Sequence, residues 1–281
     1  MADITTIYKN KGSRADLNND RGVFTLSVIR TIIDKHIYFD KIKQVDKNMS
    51  ESNLGARKEQ NIRDHLFIVN GILNSAKQKE CKAIDLQLFD IAKCFDAQWP
   101  NDTMNDFYDV SVKDDKLKIM SEANKNVQIS VKNPFGQKKE RKILKEIEMQ
   151  GSTFGPIKCS VHLDTIDKEY LEQGENLYSY KKLVNIPPLA FIDDIIGITE
   201  CGQPSLEMNS FINSKIEMKR LQLSKANCHQ IHIGDKNTFC PDLKVHSEKM
   251  EKSEDDKYLD DILSENKNKE NIKSKVANGV G

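Results

Sequence analysis

Two stretches decide how this chain is read: LFDIAKCFD at residues 88–96 and LAFIDDII at residues 189–196. Around the first the side-chain period is two. Leu86, Leu88 and Asp90 fall on one face of a strand over 83–91, and Gln87, Phe89 and Ile91 fall on the other. In the second, Asp193 and Asp194 form a sharp turn between Leu189, Ala190, Phe191 and Ile192 on one side and Ile195 and Ile196 on the other. An Asp after a strand is ordinarily a turn or helix cap, and a DD pair in a hairpin is ordinarily turn chemistry. The apolar flanks argue for more. A carboxylate buried in a sheet needs a partner, and a divalent cation offsets the cost. One strand-end carboxylate beside a pair on a neighbouring hairpin is the donor arrangement of a two-metal centre.

Outward from these stretches the chain alternates strands and helices. Residues 1–24 read as strand, polar turn and strand, the turn carrying Lys9, Lys11, Arg14 and Arg21. A helix over 26–42 has Val28, Ile29, Ile32, Ile33, Ile37 and Phe39 as its apolar face. A second, over 61–79, repeats Ile62, Leu66, Phe67, Val69, Ile72 and Leu73 at three- and four-residue steps. Residues 94–110 read as helical, with a turn at Trp99 and Pro100. NVQISV (126–131) and NPFGQKKERKIL (133–144) form a hairpin whose Lys132, Lys138, Lys139, Arg141, Lys142 and Lys145 make it the most basic feature of the chain. A loop at 149–159, helices over 160–169 and 206–219 and a strand at HQIHIG (229–234) complete the pattern.

The 281 residues hold 43 Lys+Arg and 43 Asp+Glu, so no global positive field marks a nucleic-acid partner, although a local patch suffices to hold phosphates. No apolar run approaches the roughly 20 residues that cross a bilayer. The N-terminal stretch MADITTIYKNKGSRADL lacks a signal-peptide core, so the expected compartment is intracellular. The six cysteines, Cys81, Cys94, Cys159, Cys201, Cys228 and Cys240, follow no disulfide framework and are expected as reduced thiols. No GxxxxGK phosphate loop is present.

From about Ile7 to Gly281 the order of motifs resembles the reverse transcriptase domain of non-long-terminal-repeat retrotransposons. KGSRADLNNDRGV (11–23) and NLGARKEQNIRDHLFIVNGIL (53–73) are similar to the two fingers motifs. LFDIAKCFD resembles the first palm motif, with Asp90 at the metal position and Phe95 beneath the incoming sugar. MQGSTFGP (149–156) resembles the motif along template and base pair, with Gln150 and Gly151 as its signature. FIDD (191–194) stands where the family carries its aromatic-alanine-aspartate-aspartate box, LSKANCHQIHIG (223–234) is similar to the lysine-containing motif, and KYLDDILSENKNKENI (257–272) to the primer grip.

The resemblance implies an α+β right-hand polymerase, fingers and palm, with an antiparallel palm sheet packed by helices. It divides the chain into fingers (1–85), a first part of the palm (86–121), a basic hairpin (122–149), palm (150–246) and a primer-grip-like region (247–281) that stops where a thumb would begin. It implies RNA-directed DNA synthesis: a primer 3′-hydroxyl attacks the α-phosphate of a dNTP on an RNA template, between two Mg²⁺ (or Mn²⁺) ions about 3.5–4 Å apart. Asp90, Asp193 and Asp194 would hold the metals. Lys11, Arg14 and Arg21 would close on the triphosphate, and Phe95 would exclude a 2′-hydroxyl. The expected partners are RNA template, DNA primer and dNTPs, with endonuclease and thumb domains in a full-length relative.

Three positions depart from the family. Asn227 stands where lysine, a candidate proton donor, is usual, and Lys225, two residues upstream on an extended path, is a possible substitute. Asp260 replaces a glycine, and Ile192 replaces a small residue at what reads as an apolar strand position. These departures and the absent thumb favour, as the alternative, a non-catalytic nucleic-acid-binding remnant; a metal-dependent nuclease would need a further water-orienting group, for which Asp96 is a poor candidate. Cys228, His229, His232, Cys240 and His246 share one stretch but match no paired zinc spacing, and His229 and His232 face opposite sides of their strand. Scattered thiols and strand histidines are the better account.

Overall fold

A computed structural model describes residues 2–264 except 10–11, 17–18, 79–82, 114, 133–140, 147–150, 174–176, 181–182, 236 and 260. The first half runs β1 (Ala2–Tyr8), β2 (Asp20–Leu26), α1 (Val28–Asn48), α2 (Ile62–Lys77), β3 (Ile84–Asp90), α3 (Cys94–Ala97), α4 (Pro100–Asp109), α5 (Asp115–Glu122), β4 (Lys125–Lys132) and β5 (Lys142–Glu146). The second runs α6 (Gly155–Gln173), β6 (Tyr178–Tyr180), β7 (Val184–Ile186), β8 (Leu189–Phe191), β9 (Asp194–Glu200), α7 (Gln203–Met218), β10 (His229–Ile233), β11 (Lys244–Val245), β12 (Glu248–Lys249), β13 (Glu251–Ser253), β14 (Asp255–Tyr258) and β15 (Asp261–Ser264). These fall into two units, Met1–Met49 with Lys93–His162, and Ser50–Ala92 with Leu163–Gly281. None of the described helices is long and apolar enough to cross a membrane.

The first unit is built on a sheet ordered β2-β1-β4-β5, in which β1 pairs antiparallel with β2 and parallel with β4. Ala2, Phe24, Val127 and Ile129 are buried together on it. Helix α1 opens on Ser27, whose Oγ accepts from the Arg30 amide at 3.3 Å. Its buried stripe is Asp34, Ile37, Ile42 and Val45, with Asp34 held by the Arg30 guanidinium at 2.6 Å. The apolar face expected from sequence is displaced: Val28, Ile29, Ile32 and Phe39 are exposed, Val28 at 75%. A paired Asp34 lets the helix turn a polar position inward, so hydrophobicity alone picks the wrong stripe. Cys94 and Cys159 are joined as a disulfide, against the expectation that all six cysteines are reduced.

The second unit centres on a sheet ordered β13-β10-β3-β9-β8, antiparallel except where β10 meets β13. β3 is central and buried on both faces. Its even-numbered residues Leu86 and Leu88 join Ile196, Ile198, Ile231 and Ile233 against Val69, Ile72 and Leu73 of α2. That helix starts with a reciprocal capping box between Asn61 and Asp64. Phe67, expected on its inner face, is exposed. The other face of the sheet receives α7, and Gly197 permits the approach: a Cβ there would lie 3.2 Å from Met208 Cγ. The architecture is thus mixed α+β, with an antiparallel sheet packed by helices.

Candidate active site

The β3–β9 register pairs Leu86 with Ile198, Leu88 with Ile196 and, at the end of the ladder, Asp90 with Asp194. Directly opposed residues share a face of the sheet, with Cα atoms about 4.5–5.5 Å apart. Asp193 precedes Asp194 in the β8–β9 turn, and its carbonyl accepts from the Ile91 amide at 3.4 Å. All three aspartates are half-buried. The turn pivots on Ile192, whose φ of 59° is left-handed. This corrects the reading of Ile192 as an ordinary strand position: a β-branched residue in that conformation is strained, and the flanking ladder holds it there.

Beyond Asp90, the chain 222–227 runs back along the end of β3. Ala92 N–H donates to Gln222 O and Ser224 N–H to Asp90 O, each at 2.8 Å. A 3₁₀ turn at Lys225–Asn227 then aims the Asn227 amide at Asp90 Oδ2, 2.8 Å away. Lys225 is not on the expected extended path but on this 3₁₀ turn, and its ammonium pairs with Glu248 at the surface. Asp90 therefore takes its side-chain hydrogen bond from a neutral amide. Three carboxylates offer only hard oxygen donors, which suits Mg²⁺ or Mn²⁺.

Behind the hairpin lies a buried polar network that the motif reading does not contain. The carbonyl of Ser52 accepts from the Ala190 amide at 3.1 Å and from His65 Nε2 at 3.0 Å, while Leu54 N–H donates to Ala190 O at 3.0 Å. Residues 52–54 are thereby laced to β8, one residue pair ahead of the turn. Burial pushes the His65 pKa down to about 4, so at neutral pH its Nε2 carries the ring proton and Nδ1 accepts from Tyr258 O–H at 3.3 Å. Burial, then the charges of Asp194 and Asp167, raise the Tyr258 phenol well above its usual range. Ser52 Oγ donates to Asp167 Oδ2 at 2.8 Å, and burial raises that carboxyl well above the ordinary carboxylate range. Polar residues at apolar spacing, as at Asp167, were the available sequence signal.

The remaining candidates belong to the first unit. Arg14 and Arg21 are exposed, Arg14 resting over the Tyr8 ring at 5.0 Å. Phe95 is half-buried in α3. Gly151 has φ 107°, and a Cβ on it would meet Phe24 O at 2.6 Å, so only glycine fits. Arg141 and Lys142 are exposed beside the equally exposed Ile143. Lys11, Gln150, Lys138, Lys139 and Asp260 lie outside the described residues.

No family model matches this chain, and no curated protein matches it either. Solved structures do. Apo telomerase from Candida tropicalis superposes with a TM-score of 0.61 at 12% identity, over 94% of this chain and 47% of that one. A form of the same protein truncated from its C-terminal domain gives 0.55 at 12%, over 88% and 51%. Telomerase from Candida albicans in complex with a TWJ fragment of telomeric RNA gives 0.59 at 11%, over 88% and 45%. The chain spans about half the length of these proteins. They support no retrotransposon lineage, which rests on the motif resemblance alone. At such identities the likeness is one of fold alone, the fold these telomerase structures share over about half their length.

Proposed function

We propose that the chain is an RNA-directed DNA polymerase domain of the non-long-terminal-repeat retrotransposon type, adding dNTPs to a primer 3′-end on an RNA template. The observation that carries this reading is the register of Asp90 opposite Asp194, with Asp193 adjoining, at the end of the β3–β9 ladder in a telomerase-like fold. The first unit would then be largely fingers and the second largely palm.

Asp90, Asp193 and Asp194 are the residues proposed to hold two divalent cations. Bound there, Mg²⁺ would acidify the attacking hydroxyl and neutralise charge on the triphosphate. The Asn227 amide fixes the rotamer of Asp90 by its bond to Oδ2. The Ser52–His65–Tyr258 network fixes the height of the β8–β9 turn through Ala190. Lys11, Arg14 and Arg21 are proposed for the triphosphate and Phe95 for sugar selection on the motif resemblance. The RNA named with the Candida albicans telomerase structure is consistent with a nucleic-acid partner, and exposed Arg141 and Lys142 would meet its phosphates.

A second reading, nucleic-acid binding without catalysis, is favoured by Asn227 in place of the proton-donating lysine and by Lys225 being engaged with Glu248. Primer extension on an RNA template, with Mg²⁺ and dNTPs, separates the two. Extension that collapses in Asp90→Asn supports the polymerase. Equal extension by parent and Asp90→Asn would overturn the site assignment, and no extension by a parent that binds RNA would favour the second reading.

A further inference from the structure

At the other end of β3 from Asp90, Asp85, His232 and Cys240 gather as potential metal ligands, with Cys201 against the first two. Asp85 and His232 are cross-strand partners in the β3–β10 ladder, and His232 Nδ1 lies 3.2 Å from Asp85 Oδ1. Cys201, the residue that follows β9, places its Sγ 3.3 Å from Asp85 Oδ1 and 3.2 Å from His232 Nδ1. Cys240, from the segment after β10, places its Sγ 3.5 Å from the same Asp85 oxygen. Donor atoms of Asp85, His232 and Cys240 all lie within 4.8 Å of one another. Zn–O, Zn–N and Zn–S bonds of about 2.0–2.3 Å set tetrahedral ligands about 3.3–3.8 Å apart, close to these separations.

His232 Nε2 faces the Asp235 carbonyl at 3.2 Å, so that nitrogen carries the ring proton. In the neutral ring, Nδ1 then presents a lone pair toward both Asp85 Oδ1 and the Cys201 sulfur, and the one S–H of Cys201 serves only one of the two acceptors it faces. Asp85 Oδ1 also faces two sulfurs, so three potential ligand atoms gather around it. Asp85 is fully buried, and its second oxygen accepts from Ser205 Oγ at 2.6 Å. Gln230 Nε2 donates to Cys240 Sγ at 3.2 Å. Asp85, His232 and Cys240 thus each have an outer partner that fixes their orientation, as in built metal sites.

We propose that Asp85, Cys201, His232 and Cys240 bind one Zn²⁺ as a structural site. Four protein ligands fill a tetrahedral shell and leave no open position for substrate, which is the structural rather than the catalytic pattern. Asp85 and Asp90 are five residues apart on one strand, about 16 Å at 3.3 Å per residue, so this ion is separate from any ions at the carboxylates. It ties the start of β3 to the β9–α7 corner, the end of β10 and the segment leading to β11. The ligands come one each from four places in the sequence, so no paired-cysteine spacing announces them. Cys228, His229 and His246 are excluded: Cys228 Sγ accepts from the Asp90 amide, His229 Nδ1 meets Asp256 and His246 Nε2 meets the Leu223 carbonyl.

The test is Co²⁺ titration of the whole chain after chelator treatment under reducing conditions. The expected result is one equivalent bound with thiolate-to-cobalt charge-transfer absorption and tetrahedral d–d bands, displaced by Zn²⁺. Cys201→Ser and Cys240→Ser should each remove about half of the charge-transfer intensity, Cys228→Ser should change nothing, and Ser205→Ala should weaken Zn²⁺ roughly 10–100-fold. Should the cysteine variants fail to fold, alkylation of the parent with and without Zn²⁺ decides by mass spectrometry. Protection of Cys201 and Cys240 supports the site. Absence of the charge-transfer band, its persistence in the Cys201→Ser/Cys240→Ser chain, or protection of Cys228 in their place would overturn it.

Discussion

The buried His65 makes stability a steep function of pH, and the effect can be isolated with one substitution. In the folded chain burial pushes the His65 pKa down to about 4, from the ordinary 6.5 of the unfolded chain. The folded pKa is depressed, so the unfolded state binds the proton first. The stabilisation is complete above pH 6.5 and is lost as pH falls toward 4. At about 1.36 kcal/mol per pH unit that interval is worth roughly 3 kcal/mol, a large share of the roughly 5–15 kcal/mol that holds a typical domain together. His65→Gln keeps an N–H for the Ser52 carbonyl and removes the titration. Urea unfolding followed by circular dichroism, at several pH values from neutral to about 4, gives both stabilities. The parent-minus-variant difference should fall by roughly 3 kcal/mol on acidification. Asp167 works in the opposite direction: its raised pKa means that its contribution is lost as pH rises, and it is common to both chains. A difference that stays flat across this range would refute the argument that His65 is held neutral beneath the β8–β9 turn.

Ile192→Asn should raise stability by about 1 kcal/mol, because Asn tolerates the left-handed φ that the turn imposes, and thermal unfolding would show it as a higher Tm. Gly151→Ala should lower stability by about 1–3 kcal/mol, since the methyl would sit 2.6 Å from Phe24 O at a φ of 107°; an unchanged unfolding midpoint would contradict the geometry there. Replacing Arg141 and Lys142 together with Ala should reduce the slope of log affinity for single-stranded RNA against log salt by about 1.4, whereas an unchanged slope would make this hairpin a plain solvated surface.

The sheet strands were legible because their side chains alternate and their ends are marked by turns. LFD and FIDD sit in adjacent strands, and the register brings Asp90 opposite Asp194 although 104 positions separate them. What sequence pattern could not supply was pairing between distant polar residues. Asp34 turns inward in α1 because Arg30 neutralises it, so the conspicuous Val28–Ile29–Ile32 stripe is not the buried one. His65, Ser52, Tyr258 and Asp167 are spread over most of the chain and meet only in the folded unit. Ile192 reads as strand by composition, and its left-handed φ is imposed by the turn that the two ladders close. Lys225 reads as extended by sequence, whereas a 3₁₀ turn carries it toward Glu248.

The central claim is that Asp90, Asp193 and Asp194 form one divalent-cation centre. The most direct measurement is Mn²⁺ binding by the whole chain, counted by electron paramagnetic resonance, in the parent and in Asp90→Asn, Asp193→Asn and Asp194→Asn. The account predicts that each substitution weakens the same binding event and that the Asp90→Asn and Asp193→Asn effects are not additive, since both side chains serve shared ions. Mn²⁺ affinity and stoichiometry unchanged in all three variants would contradict it.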